Sequence, residues 1–273
     1  MTGVAKGTVL RLVADLGAAC DEYQDQALRS LPCKRVQADE IWSFCYAKEK
    51  NVPGRMKGMP GVGSVWTWTA IDADSKLAIT WFVGDRSQDS AMKFMLDVAS
   101  RMEGRIQLTT DALKSYRYAT TLAFDGDIDY AQLVKIYAGQ TGTDSAGKYS
   151  QPECIGTKVD VRHGNPDLDH VSTSYVERAN LTMRMGMRRF TRLTNGFSKK
   201  IENHEHAIAL HFMHYNFCRK HESLKKMTPA MAAGITDHVW TLAELVALLP
   251  DRAAAPWGSK KVGRVADGGE NSN

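Results

Sequence analysis

The chain has 273 residues, more than one average domain and fewer than two, so one catalytic-size core with terminal additions is expected. Hydrophobic residues make up 43% and charged residues 24%, ordinary globular usage that excludes a disordered chain or a fibre. The net charge of +4 is unevenly spread: residues 178–200 hold seven Lys/Arg and no acid, while the remainder, 28 basic against 31 acidic, carries −3, which points one part of the chain at a polyanion.

Residues 7–16 place Val9, Leu12, Val13 and Leu16 at helical spacing, with Thr8 as a cap and Gly17 as a stop. A second helix is expected over 18–31, ended by Pro32. The period then changes. Residues 36–46 form a β-like run, and 65–72 alternate Trp66, Trp68 and Ala70 against Val65, Thr67, Thr69 and Ile71. A turn at 72–75 leads to a third strand over 77–83, and the Gly/Pro/Lys segment 51–63 is a flexible hairpin loop.

An amphipathic helix follows over 88–102, with Met92, Met95, Leu96 and Ala99 on one side. A short strand over 105–109 ends at Asp111, then come a brief helix at 114–119 and a strand at 131–137. Residues 139–169 are rich in Gly, Pro and Asp and read as an irregular loop. Helices are expected over 174–189, 201–220 and 242–249, and the tail 251–273 reads as disordered. Three antiparallel strands and a helix, then strand–helix–strand–helix, is the order of a ribonuclease H-like α/β fold. The expectation is a mixed five-stranded sheet flanked by helices, with a short helical N-terminal appendage.

No stretch approaches the ~18 uninterrupted apolar residues of a membrane span, and residues 1–17 lack the marks of a signal peptide. Five scattered cysteines with no CxxC pair support neither a zinc ribbon nor a disulfide framework, so reduced thiols in the cytoplasm are expected.

Three acids stand where such a fold makes them useful: Asp39 inside the first strand, Asp111 at the end of the fourth, and Glu177 opening a helix. A carboxylate in a buried strand is costly unless compensated, and a divalent cation compensates several together. Oxygen-only ligands suit Mg²⁺ or Mn²⁺, and a pair of such ions clamps the attacking and leaving oxygens of a phosphodiester displacement. Taken singly, each acid also has an ordinary role: strand-edge residue, helix cap, surface helix acid. Glu40 rivals Asp39, but alternation puts the two on opposite strand faces, so only one is expected at the site. Leu181, Arg184 and Arg188 follow Glu177 at +4, +7 and +11, which on one helix lines arginines up beside the acid, where they would track phosphates.

The stretch from Tyr175-Val176-Glu177-Arg178 to Arg184, continuing through Arg188-Arg189-Phe190-Thr191-Arg192 to Lys199, resembles the terminal-glutamate block of bacterial insertion-sequence transposases, in particular those of the smallest simple elements. Asp39-Glu40-Ile41-Trp42-Ser43-Phe44 is similar to their first-aspartate block and Thr109-Thr110-Asp111 to their second. His214-Tyr215-Asn216-Phe217-Cys218-Arg219, with His221, Leu224 and Thr228 to Met231, is similar to the segment closing such domains. The four blocks come in order between about Val36 and Ile235.

The resemblance implies a DDE transposase. Asp39, Asp111 and Glu177 would be catalytic and hold two Mg²⁺ (or Mn²⁺) ions; water cuts the element's end to free a 3′-hydroxyl, which then attacks target DNA. Arg184 would contact element-end DNA, and Arg178, Arg188, Arg189, Arg192, Lys199 and Lys200 complete the expected DNA-binding set. The partners implied are terminal inverted repeats, target DNA and a second copy of the chain, at least a homodimer on paired ends, with no membrane. Thr2 to Leu12 resembles the turn and recognition helix of a helix-turn-helix whose preceding helix is missing, as in a chain that begins late. The expected division is a partial helix-turn-helix over 1–33, a catalytic domain over 34–236, and a C-terminal helix with tail over 237–273.

Two other functions remain open: a ribonuclease H-like or junction-resolving nuclease, which hydrolyses without joining strands, and a catalytically silent DNA-binding repressor of the element. His204, His211 and His214 lack a cysteine partner at zinc spacing and are expected to be solvated or hydrogen-bonded. Trp66, Trp68 and Trp81 are expected in the core, and Asp72 and Asp74 in a turn. No GxxxxGK[ST] occurs, so nucleotide hydrolysis is not expected.

Overall fold

Residues 35–45 are covered on both faces along nearly their whole length, which makes this strand the middle of a sheet and not its margin. The computed structural model describes residues 3–138 and 154–250. Its strands are β1 (Arg35–Cys45), β2 (Gly63–Asp72), β3 (Ala78–Gly84), β4 (Gln107–Asp111), β5 (Asp129–Tyr137) and β6 (Cys154–His163). They form one mixed sheet in the order β3-β2-β1-β4-β5-β6. The first three are an antiparallel meander, with Asp39 opposite Thr69 and Glu40 opposite Trp68. β1, β4 and β5 run parallel to one another, and β6 returns antiparallel to β5.

Helices cover both faces. α2 (Gln88–Ser100) and α3 (Lys114–Ala123) lie on one. Phe94, Met95, Val98, Tyr116 and Ala119 pack there against Val36, Ala38, Trp68 and Ala70. The side chain of Ser87 caps α2 by accepting from the Ser90 N–H at 3.2 Å. α4 (Ser174–Gly186) and α5 (Ile201–Met213) lie on the other face, where Val176, Met183, Ile208 and Phe212 meet Ile41, Ile71 and Trp81. Gln37 on β1 docks α4: its buried Oε1 accepts the otherwise orphaned backbone N–H groups of Tyr175 and Val176, at 2.9 and 3.2 Å. No helix among the described residues is long and apolar enough to cross a membrane, and all five cysteines are free thiols.

The structure corrects several sequence expectations. The N-terminal stretch is one helix, α1 (Lys6–Ala27), running unbroken through Gly17. Gly17 is there for packing: a Cβ would sit 2.4 Å from the carbonyl oxygen of His206 on α5, so the missing side chain lets the two helices touch. Buried Gln24 reinforces the contact by donating to the Ala209 carbonyl at 3.1 Å. The second half of α1 therefore belongs to the helical layer, while Val9, Leu10 and Leu12 of the first half are exposed.

The sheet has six strands, not five. β6 lies inside the expected loop 139–169, whose residues 139–153 fall outside the described residues. Its sequence, Ile155 to Arg162, alternates β-branched Ile155, Thr157, Val159 and Val161 with Gly156, Lys158, Asp160 and Arg162; it pairs with β5, leaves no residue buried, and its charges suit an edge. α5 ends at Met213 and passes into a π-turn over His214–Cys218, where buried Asn216 bonds both the N–H and the carbonyl of Ala78 at 2.9 Å. The expected disorder of 251–273 concerns residues outside those described.

Candidate active site

β1 and β4 stay in register from Arg35 beside Gln107 to Ala38 beside Thr110. The next residues are Asp39 and Asp111. There β4 ends, while β1 continues to Cys45. The two carboxylates are thus neighbours at the carboxyl ends of parallel strands, the edge at which open α/β sheets expose ligand sites. One oxygen from each of Asp39, Glu40 and Asp111 lies within 4.8 Å of the others.

Glu40 was not expected here together with Asp39. The two side chains do leave opposite faces of β1: Asp39 meets Asn180 of α4, and Glu40 meets Tyr116 of α3. The site, however, lies on the strand edge that β4 vacates, and both side chains reach that edge. Strand alternation alone could not anticipate it, because it says nothing about where a neighbouring strand stops.

Each acid is held. Asn180 donates to Asp39 Oδ2 at 2.9 Å. The Leu113 N–H donates to Asp111 Oδ1 at 2.9 Å, and buried Gln132 fixes the turn by donating to the Asp111 and Leu113 carbonyls at 2.9 and 3.1 Å. Glu40 accepts from Arg86 Nε at 2.8 Å and from the Tyr116 hydroxyl at 3.1 Å. The Arg86 guanidinium lies 4.7 Å above the Trp66 ring and 3.9 Å from Asp111. None of Asn180, Arg86, Tyr116 or Gln132 was legible as a site residue, although Asn180 stands one helical turn after Glu177 and shares its face.

Electrostatically the cluster is unfinished. Burial, then the charge of Asp111, pushes Asp39 up to about 6. Burial, with Asp111 and Asp39 adding to it, pushes Glu40 up to about 8, and Arg86 offsets only part of this. Burial also raises Asp111. Three carboxyl groups that each resist ionisation while sharing one opening form an oxygen donor set suited to a hard divalent cation.

Glu177 stands apart from that trio. It lies in the first turn of α4, as expected, but its Oε1 accepts from Lys135 on β5 and from Thr173. It still acts on the cluster through space, since its charge is among those raising Asp39 and Asp111. Burial pulls the Lys135 ammonium down, and the Glu177 hydrogen bond and charge outweigh it and hold the group above its ordinary value.

The basic segment needs two corrections. Arg188 does not continue the face of Glu177, Leu181 and Arg184, because α4 ends at Gly186 and Met187 is extended. Burial of Phe190 against His204 turns the chain into a short 3-10 turn, Arg188–Phe190. Arg189 points inward, donating to Ser198 Oγ at 2.5 Å and to the Asn203 carbonyl at 3.2 Å. Arg178, Arg184, Arg188, Arg192, Lys199 and Lys200 are exposed.

Buried His204 bridges Ser43 and Ser198 at 3.0 and 3.2 Å, and burial, with Arg189 nearby, lowers it to about 4. It is a hydrogen-bonded core histidine. Trp68 and Trp81 are buried in the core, whereas Trp66 is half-buried beneath Arg86. Asp72 closes its turn by accepting from the Ser75 N–H at 2.8 Å. No protein-family model matches the chain, and no curated protein matches its sequence.

Proposed function

We propose that the chain is a metal-dependent polynucleotidyl transferase of ribonuclease H-like fold, a DDE transposase that cuts the ends of a DNA element and joins them to target DNA. The observation that carries this reading is the convergence of Asp39, Glu40 and Asp111 at the ends of β1 and β4, with Glu177 on the helix packed beside them. Strand order supports it: an antiparallel meander, then parallel strands on the far side of β1.

The donor set fits Mg²⁺ or Mn²⁺, since it is all oxygen and Arg86 and Lys135 offset only part of its charge. Asp39, Glu40 and Asp111 would hold one ion; a second would need Glu177 to give up its ion pair with Lys135. Bound there, such ions lower the pKa of water and neutralise charge developing on the phosphate.

The chain's own groups do the rest. Asn180 and the Leu113 N–H fix which oxygens of Asp39 and Asp111 face the opening. Arg86 and Lys135 are cations beside the acids, each lowering Asp111, and they offer charge to non-bridging phosphate oxygens. In the first step water oxygen attacks phosphorus and the P–O3′ bond breaks, leaving a 3′-hydroxyl on the element. In the second that hydroxyl attacks a target phosphate and displaces the target's 3′-oxygen. Arg178, Arg184 and the exposed basic residues after them would hold the duplex by its phosphates.

The test is cleavage and joining of end-sequence DNA with Mg²⁺. Asp39→Asn, Asp111→Asn and Glu177→Gln should each abolish both steps while DNA binding persists. Mg²⁺-dependent cleavage retained in any of the three rejects the assignment; cleavage without joined products in the wild type makes the protein a nuclease.

A further inference from the structure

The edge of β1 vacated by β4 does not stay open for its whole length. At its far end the chain returns: Cys45 bridges in parallel to Ser198, and the Tyr46 N–H donates to the Ser198 carbonyl at 2.8 Å. Between the β1–β2 connection and the segment leading to Ser198 lies an open groove of about 490 Å³. Phe44, Tyr46 and Phe197 line it, together with Lys48, Lys50 and Asn195. The lining combines aromatic rings with two lysines, and among the described residues it holds no acid.

Glu49 would spoil that balance, but it turns away and accepts from the Ser64 N–H at 2.9 Å. The Phe44 and Phe197 rings lie 4.8 Å apart, tilted by 37°. Lys199 Nζ sits 4.3 Å from the centroid of Phe197, and Lys48 Nζ 5.7 Å from that of Phe44. A ring face covered by a long lysine side chain is one that a nucleobase can take, the ammonium moving to the adjoining phosphate. Strand geometry puts Phe44 ~17 Å from Asp39 along β1, and no strand among the described residues pairs with that edge between them.

We propose that this groove binds unpaired nucleotides of a DNA strand, stacking their bases on the half-buried rings of Tyr46 and Phe197, which buried Phe44 backs, and neutralising their phosphates with Lys48, Lys50 and Lys199. The inference rests on the polynucleotide substrate proposed above and adds a single-strand site distinct from the carboxylates. Rings are wasted on duplex DNA, whose bases are already stacked, so the site discriminates for unpaired strand. Bases held there would keep a frayed or displaced end aligned with the carboxylates.

The test uses the full chain in EDTA, so that it is independent of cleavage, with a single-stranded DNA oligomer carrying 2-aminopurine. Stacking should quench its fluorescence, equally with wild-type protein and with Asp39→Asn. Phe197→Leu, which retains apolar packing, should weaken single-strand binding ~5- to 100-fold and remove the quenching, with little effect on duplex binding. Lys48→Ala with Lys50→Ala should lower the log–log salt slope for single strands by ~1.4. If Phe197→Leu does not fold, the lysine variant and the wild-type quenching decide. Absence of quenching with the wild type, the result for a groove that receives a peptide, overturns the inference, as does unchanged single-strand affinity in the folded variants. Loss of cleavage in Asp39→Asn with quenching intact separates this site from the catalytic assignment.

Discussion

Replacing Asp39 by Asn is the most direct probe of the unfinished charge at the carboxylate cluster. The folded chain holds the Asp39 carboxyl at about 6 against an ordinary 3.8, through burial first and the charge of Asp111 second. A folded-state pKa above the unfolded one means that the folded protein binds this proton more tightly. Its stability contribution is therefore present below about pH 4 and lost as the pH climbs to about 6. Each pH unit of displacement corresponds to ~1.4 kcal/mol, so ionised Asp39 costs up to about 3 kcal/mol above that window. Asparagine is nearly isosteric and its carbonyl oxygen can still accept from Asn180, so the substitution removes charge with little change in packing. In EDTA at pH 7.5, Asp39→Asn should stabilise the protein by about 1–3 kcal/mol, read as a rise in Tm of ~2–9 °C. The gain should shrink towards zero as the pH falls to 4. Added Mg²⁺ should raise the Tm of the wild type and leave the variant nearly unmoved, since a ligand stabilises only the state that binds it. Thermal melts from pH 4 to 8, with EDTA and with Mg²⁺, supply all of these readings. A variant less stable than wild type at pH 7.5, or one that gains as much from Mg²⁺, would refute the claim that this acid is strained for want of a cation.

Gly17→Ala should destabilise the chain by ~1–3 kcal/mol although alanine is the better helix former, because the new Cβ meets the His206 backbone at 2.4 Å; urea unfolding measures it, and an unchanged midpoint would mean that α1 and α5 can separate freely. Among the basic residues, replacing Arg178, Arg184 or Arg188 by Ala should lower the log–log salt slope of duplex binding by ~0.9 for each phosphate left without its cation. Arg189→Ala should instead lower Tm and leave that slope alone, since its guanidinium is committed to Ser198 and Asn203; fluorescence-anisotropy titrations at several salt concentrations, alongside thermal melts, separate the two behaviours.

Much of the fold was legible because its signals are local. The β-branched and aromatic runs of β1 to β3, the turn at Asp72 and the helix α2 depend on near neighbours, and each lies close to its expected place. α2 nonetheless buries Ala91, Phe94, Met95 and Val98 and leaves the expected Leu96 exposed. Asp111 at a strand end and Glu177 in a helix's first turn were readable for the same reason. Non-local causes account for most of the failures. Gly17 punctuates a helix in isolation but serves a helix–helix contact in the folded chain. β6 alternates Ile155, Thr157, Val159 and Val161 with Gly156, Lys158, Asp160 and Arg162, a local strand signal obscured by the Gly-, Pro- and Asp-rich stretch around it, and it pairs with β5. Arg188 leaves its helical face because Phe190, two residues on, is drawn into the core.

The amino-acid order alone determined which residue types were on hand: acids on strands and at a helix start, and a stretch of 23 residues with seven cations and no anion. Tertiary structure decided how they are used. The end of β4 one residue past Thr110 brings Glu40 round to the side of Asp39, and Lys135, remote in sequence, takes hold of Glu177. Local propensity acts over a few residues and is written in them, whereas the grouping of charges depends on strand lengths and registers that only the packed sheet sets.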